Sequence, residues 1–181
     1  MNLYGYVGNS SIFLIDVLGL DYVDVKETLL GVGLSENFAA SLAIDIDRAG
    51  SGDTFSDAFH SAICNARKWS DSSWFGGREA GFTVGKNGSI SPMTKIGAGL
   101  LGAGLLGTQR PEPAGTAFGA HSHFAGRPSH TSSGPNTMGT DDINETTRLK
   151  RPEIAIGAKD VTAYDPTSRT AKTMPLPGCK K

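Results

Sequence analysis

Apolar residues recur at helical spacing in two stretches of the N-terminal half. In the first stretch, positions 38, 39, 42, 43 and 46 are apolar and share one helix face, with Ser35 as a candidate N-cap. The second stretch has the spacing i, i+3, i+4, i+7, i+8 and i+11. Its apolar residues are Phe55, Ala58, Phe59, Ala62, Ile63 and Ala66. Ser51 or Asp53 is placed to cap it. The pattern predicts two amphipathic helices that can pack as a hairpin.

Beyond Trp69 the apolar residues come in short runs separated by turn residues, which is the pattern of strands. The predicted strands are 79–84, 116–123, 152–157 and 161–165. Asn87-Gly88 indicates a tight turn after the first of them. A short helix is predicted from Asp142 to Leu149, and the tail after Pro166 is predicted to be irregular. The order of elements predicts an α+β fold, with a two-helix segment followed by a mixed β-sheet.

Length and charge narrow the class of protein only slightly. A chain of 181 residues suits one domain with an appendage. Residues 1–60 carry a net charge of −7 and residues 61–181 a net charge of +6, but the bases are scattered and do not favour nucleic-acid binding. The apolar run 96–107 is shorter than the roughly 20 residues that cross a bilayer. We therefore expect no membrane span, and the N-terminus lacks the pattern of a secretory signal.

The two cysteines give no sign of a disulfide framework. Cys64 and Cys179 lie far apart in the sequence, and a pair of cysteines does not define a scaffold. Cys64 lies one residue away from the apolar stripe of its helix. We interpret it as a packed thiol rather than a nucleophile.

Residues 1–20 predict a small β-hairpin. An aromatic-rich strand is followed by an Asn-Ser turn, a second apolar strand and a stop at Gly19. The segment MNLYGYVGNSSIFLIDVLGL resembles the end of the Rhs/YD-repeat core of bacterial polymorphic toxins. In that family the toxic domain begins just after the residue equivalent to Leu20, and many members cleave themselves there. Val17 stands where the family has proline, which puts cleavage of this chain in doubt.

The resemblance implies a domain organisation and a setting. Residues 1–20 would be the end of an Rhs-type core, residues 21–68 a helical linker region, and residues 69–181 the toxin or effector domain. The protein would be bacterial and delivered by a specialised secretion system, or otherwise cytoplasmic. Its partners would be the Rhs core or the secretion machinery and a cognate immunity protein, with a role in bacterial competition.

The strongest candidate for chemistry is His121-Ser122-His123. Alternate residues of a strand point to the same face, so the two imidazoles can bind one metal ion together. A carboxylate from the following segment, Asp142 or its rival Asp141, can supply a third ligand. Three protein ligands leave a position for water, which is the arrangement of a catalytic zinc site. Glu79, on an earlier predicted strand, can serve as the general base.

The order of these residues is similar to that of the JAMM (JAB/MPN-type) zinc metallopeptidases. The similarity extends over about residues 74–166 and includes the segment PEIAIGAKDVTAYDP, which looks like the strand–turn–strand that follows the motif in that family. It implies that Glu79 is the catalytic base, that His121, His123 and Asp142 bind Zn²⁺, and that the substrate is a protein. Phe124 and Gly139 depart from the pattern, where the family has proline and serine. Loss of the serine would weaken catalysis more than metal binding.

Three functions remain open from the sequence. The first is a zinc-dependent peptidase or isopeptidase toxin. The second is a JAB-like binding module without catalysis, or an inert orphan cassette. The third is a metal-dependent nuclease toxin, for which the basic second half would suit a phosphate backbone.

Overall fold

The computed structural model describes residues 11–72, 79–96, 113–123, 129 and 140–179. Within these ranges three helices come first: α1 (Ser11–Gly31), α2 (Glu36–Arg48) and α3 (Gly52–Asp71). The remaining elements are β1 (Glu79–Gly85), β2 (Thr94–Ile96), β3 (Thr116–Ser122), α4 (Thr140–Leu149), β4 (Glu153–Ile156), β5 (Asp160–Asp165) and β6 (Thr170–Pro175). The fold is α+β, which confirms the fold class that the order of predicted elements indicates.

The strands form one mixed sheet in the order β2-β1-β3-β4-β5-β6. Neighbouring strands are antiparallel except for the central pair, β3 and β4, which are parallel. A parallel pair requires a crossover connection, and α4 lies between β3 and β4 in the chain. The carboxyl ends of β3 and β4 therefore meet at the same end of the sheet.

The two faces of the sheet have opposite character because side chains alternate along each strand. One face is apolar and shares a buried core with α1, α2 and α3. Its core residues are Ala80, Phe82, Val84, Phe118, Ala120, Ile154, Ile156, Val161 and Ala163. The Phe59 ring of α3 contacts this face edge-on, at centroid distances of 6.1 Å from Phe82 and 5.7 Å from Phe118.

The two helices predicted from apolar spacing are α2 and α3. Four of the five residues predicted for the apolar face of α2 are buried, namely Ala39, Leu42, Ala43 and Ile46. In α3 the buried residues include Phe55, Phe59, Ile63 and Ala66. Ser35 and Ser51 occupy the two N-cap positions, but neither side chain makes a capping hydrogen bond. The Ser35 hydroxyl instead donates to Asp165 Oδ2 at 2.9 Å, so tertiary contact replaces local capping.

The hairpin predicted for residues 1–20 is wrong in its second half. Residues 11–20, taken as a strand and its stop, form the beginning of α1, while residues 1–10 lie outside the described part of the chain. Short apolar runs do not distinguish a strand from a buried helix. Here the run continues without a break into a helical segment in which Val25 and Leu29 are buried, so the longer element is the helix.

The tail predicted to be irregular contains a strand. β6 pairs with β5 along six residues, from Asp165↔Thr170 to Asp160↔Pro175. Most of its residues are exposed, so its sequence lacks the apolar alternation that marks a strand with one buried face. This strand forms through backbone hydrogen bonds with β5 at the edge of the sheet, and a pattern of side chains does not predict such pairing.

The interpretation of Cys64 as a packed thiol is also wrong. Cys64 of α3 forms a disulfide with Cys179, with the two Cα atoms 5.5 Å apart across a sequence separation of 115 residues. The segment after β6 leads to this bond, and the Leu176 N–H donates to the Lys159 carbonyl at 2.9 Å on the way. The sequence could not predict this bond, because the two cysteines come together only when the sheet has formed and the segment after β6 lies beside α3.

Within the described ranges, no helix combines the length and the apolar character that crossing a membrane requires. Residues 97–107 of the glycine- and leucine-rich run lie outside those ranges.

Candidate metal and catalytic site on the polar face of the sheet

The second face of the sheet is polar and yet buried. Its buried polar residues are Glu79 and Thr83 of β1, His121 of β3, Glu153 of β4, Thr162 of β5, and His123, which follows β3. We call this set the polar face. Glu79 is 6% exposed, His121 7%, His123 6% and Glu153 3%. Ionisable side chains are seldom buried to this extent unless they are paired or bind a ligand, so this face is the candidate functional site.

Glu79, His121 and His123 are brought together by the β1–β3 ladder. Gly81 lies opposite His121 in this antiparallel pair. Glu79 is two residues before Gly81 and His123 is two residues after His121, so all three side chains lie on the same face of the sheet. The two imidazole rings lie 5.3 Å apart between centroids and are tilted by 41°. The two strands therefore place two imidazoles and one carboxylate, all buried, on the same face of the sheet.

Glu153 is a site residue that sequence reasoning missed. Its Oε1 lies 3.3 Å from His121 Nδ1, with both side chains buried. In the tautomer that carries its proton on Nδ1, His121 donates to this carboxylate, and its Nε2 is the ring atom with a lone pair. A carboxylate behind a histidine is the usual support of a metal ligand. The pairing depends on the parallel register of β3 and β4, in which Gly119 lies opposite Glu153, and no sequence signal reports that register.

Hydroxyl groups continue the polar face towards β6. Ser129 Oγ lies 2.7 Å from Thr162 Oγ1, which lies 2.9 Å from Thr173 Oγ1. The Ser129 N–H also donates to Asp160 Oδ1 at 2.7 Å. Helix α4 contacts β5, and its Thr146 is buried. Ser129 and helix α4, both from the chain between β3 and β4, therefore contact the sheet at β5.

For the predicted third ligand, Asp142 or Asp141, the structure describes the position of the backbone but not of the side chain. Asp141 and Asp142 lie in the first turn of α4, and their side chains lie outside the described part of the structure. Phe124 and Gly139 lie outside it as well. Among the described side chains, no three His, Cys, Asp or Glu residues form a group able to hold a metal ion. The described part of the site therefore consists of two imidazoles, those of His121 and His123, and two carboxylates, those of Glu79 and Glu153, on one face of the sheet.

A cavity of about 610 Å³ lies at the other end of the sheet. It is bounded by Phe38 of α2, Lys86 after β1, Thr116 at the start of β3, and Lys150 and Arg151 before β4. None of the polar-face residues lines it. The buried polar face and this cavity are therefore separate features of the structure.

Comparison with known proteins does not assign the chain to a family. No protein-family model, no curated protein and no solved structure matches the chain. The class of the protein therefore rests on its fold, an α+β sheet with one apolar and one buried polar face, and on the residues of that polar face.

Proposed function

We propose that this chain is the effector domain of an Rhs-type toxin and that its polar face is a zinc-dependent hydrolase site acting on peptide or isopeptide bonds. One observation carries the proposal: two imidazoles and a carboxylate, those of His121, His123 and Glu79, are buried on one face of the sheet. Three ionisable groups of these types seldom share a buried surface for packing alone.

Each side chain has a defined task in this site. His121 and His123 hold the metal, and Glu153 fixes the tautomer and ring orientation of His121 through Nδ1. Asp142, with Asp141 as the alternative, supplies the carboxylate ligand from the first turn of α4. A zinc ion bound here would act as a Lewis acid and make water nucleophilic near neutral pH. Glu79 accepts the proton from the attacking water and returns it to the leaving nitrogen.

Two observations support the proposal that the domain is delivered out of the producing cell. They are the sequence of residues 1–20 and the disulfide between the two cysteines. The resemblance of the N-terminal segment to an Rhs-type core supports a bacterial effector with a secretion machine and an immunity protein as partners. The Cys64–Cys179 disulfide supports a folded state that meets an oxidising compartment, since disulfides are rare in the cytosol.

Metal analysis of the purified full chain tests the site. We expect about one zinc per chain for the wild type and a loss of zinc in His121→Ala, because removing one of few ligands abolishes tight binding. His60→Ala is the matched control, since His60 lies on α3, which packs against the opposite, apolar face of the sheet. Glu153→Gln should weaken zinc binding by about 10–100-fold. Less than about 0.2 zinc per wild-type chain would refute the metal site.

Expression in sensitive bacteria tests the catalysis. We expect the wild type to inhibit growth and Glu79→Gln to retain zinc but lose inhibition, because only the general base is removed. Inhibition that survives Glu79→Gln would favour the binding module without catalysis. Nicking of plasmid DNA in the presence of divalent metal would favour the nuclease instead.

A further inference from the structure

We propose that Arg67 of α3 is a positioning residue for the site, because it holds the main chain of His123 and so sets where that imidazole points. The inference rests on the proposed metal site, but its test also reads the position of His123 without metal. Arg67 lies on the apolar side of the sheet, so it contacts neither metal nor substrate and acts only through His123.

The contact is direct and buried. Arg67 is 6% exposed, and its Nη1 donates to the His123 carbonyl oxygen at 3.3 Å. The rest of the guanidinium is fixed by Asp71 one turn further along α3. Nε donates to Asp71 Oδ2 at 2.9 Å, and Nη2 pairs with Oδ1. A planar group held on two sides presents its third donor in a fixed direction.

The position of His123 explains why such support is needed. β3 ends at Ser122, so His123 is the first residue beyond the strand. Its N–H still donates to the Ile156 carbonyl of β4 at 2.9 Å. Its carbonyl accepts from Arg67, so both sides of the residue are held. The side chain of a residue held in this way has little freedom beyond its own rotamers.

A second contact of α3 supports the same end of the sheet. Ser70, one turn after Arg67, shares a hydrogen bond with Ser122 through the two hydroxyl oxygens. Ser122 Oγ also accepts from the Ala80 N–H at 3.0 Å, and Ala80 follows Glu79. Helix α3 therefore holds the main chain beside both His123 and Glu79 from behind the sheet.

Stability alone does not account for an arginine at this position. The side chain of Arg67 is buried, but that of its ion-pair partner Asp71 is half exposed, and a pair of this kind adds little stability. The buried residues that precede Arg67 on α3, Ile63 and Ala66, are apolar. A charged side chain among them is explained by its directional hydrogen bond to the carbonyl of a metal-ligand residue.

The test compares Arg67→Met, Arg67→Lys and the control Lys26→Met. The control removes a different ion pair, Lys26 Nζ to Glu36 Oε1 at 2.5 Å, whose lysine lies on α1 and is more exposed than Arg67. Zinc affinity is measured by chelator competition. We expect Arg67→Met to weaken it by about 10–100-fold, as for other groups that support a ligand, and Arg67→Lys to lie between Arg67→Met and wild type. Lys26→Met should leave it unchanged.

Imidazole NMR signals of the zinc-free proteins supply the second measurement. We expect the His123 signals to move in Arg67→Met while the His60 signals stay in place. Unchanged His123 signals, or a loss of zinc affinity no larger than in Lys26→Met, would overturn the role of Arg67. If the wild type binds no zinc, the metal site itself is refuted, and the His123 signals still decide whether Arg67 positions that residue. Should Arg67→Met fail to fold, Arg67→Lys and Asp71→Asn carry the same comparison.

Discussion

The carboxylate of Asp165 connects two parts of the fold, the turn after β5 and the start of α2. It accepts from the Ser35 hydroxyl at 2.9 Å and from the N–H groups of Thr167 and Ser168 at 2.8 and 3.4 Å. Burial by itself would raise its pKa, but these hydrogen bonds favour the charged form more strongly and hold the pKa below its usual value. Asp165 therefore fixes both the turn after β5 and the start of α2.

This shift gives the first prediction at the residue scale. Because the pKa of Asp165 is lowered in the folded state, its charge stabilises the fold above the ordinary value of 3.8, and the contribution is lost as pH falls below it. We expect Ser35→Ala to lower the free energy of unfolding by about 1 kcal/mol at pH 7 and by less at pH 2.5. Urea unfolding at both values checks this. Ser41→Ala, on an exposed site of the same helix, should change little. An equal loss at both pH values would contradict it.

Some residues of the candidate site can be recognised from the sequence, and others only from the structure. Glu79, His121 and His123 stand out because strand alternation places 121 and 123 on one face, and the structure puts all three there. Glu153 and Arg67 did not stand out. A glutamate beginning a strand and an arginine near a helix end are ordinary residues. Their roles arise only when β4 lies beside β3 and α3 lies behind it.

At the scale of elements, α3 connects the core with the site. Its buried side packs Phe55, Phe59 and Ile63 against the sheet, and its last turns hold the end of β3 through Arg67 and Ser70. The rings of Phe55 and Phe59 are stacked at 5.5 Å. Loss of packing in this helix should therefore affect both stability and the geometry of the polar face.

Phe59 gives the prediction at this scale. Its ring contacts three other phenylalanine rings, those of Phe55, Phe82 and Phe118. We expect Phe59→Ala to lower the free energy of unfolding by about 3–5 kcal/mol, because it removes buried apolar area and leaves a cavity. Asp57→Ala, at an exposed position of the same helix, should change it by less than about 0.5 kcal/mol. Denaturant unfolding of the two variants and the wild type measures the difference. A loss below about 1 kcal/mol for Phe59→Ala would show that the core at this point is not closely packed.

At the scale of the whole molecule, the disulfide ties the end of the chain to the middle. Cys64 lies in α3 and Cys179 beyond β6, so the bond closes a loop that contains the whole sheet. Such a crosslink restricts the unfolded chain more than the folded one. The bond therefore stabilises the sheet together with α3, rather than one element alone.

Removing the disulfide should lower the free energy of unfolding of the whole fold. We expect the double variant Cys64→Ser/Cys179→Ser to lose about 2–4 kcal/mol in the free energy of unfolding. Dithiothreitol should lower the Tm of the wild type to that of the variant and leave the variant unchanged. Thermal unfolding with and without the reductant measures this. A wild-type Tm that does not respond to full reduction would show that the crosslink adds no stability.

The sequence by itself determined the fold class, helices α2 and α3, and strands β1, β3, β4 and β5, because each carries a periodic apolar pattern that local physics sets. It also determined that His121 and His123 share a face. Only the tertiary structure decided that residues 11–20 continue into α1, that β6 pairs at an edge, and that Cys64 bonds to Cys179. It also decided that Glu153 contacts His121 and that Arg67 contacts His123. These features depend on strand register and on packing between distant segments, and periodicity along the chain carries no record of either.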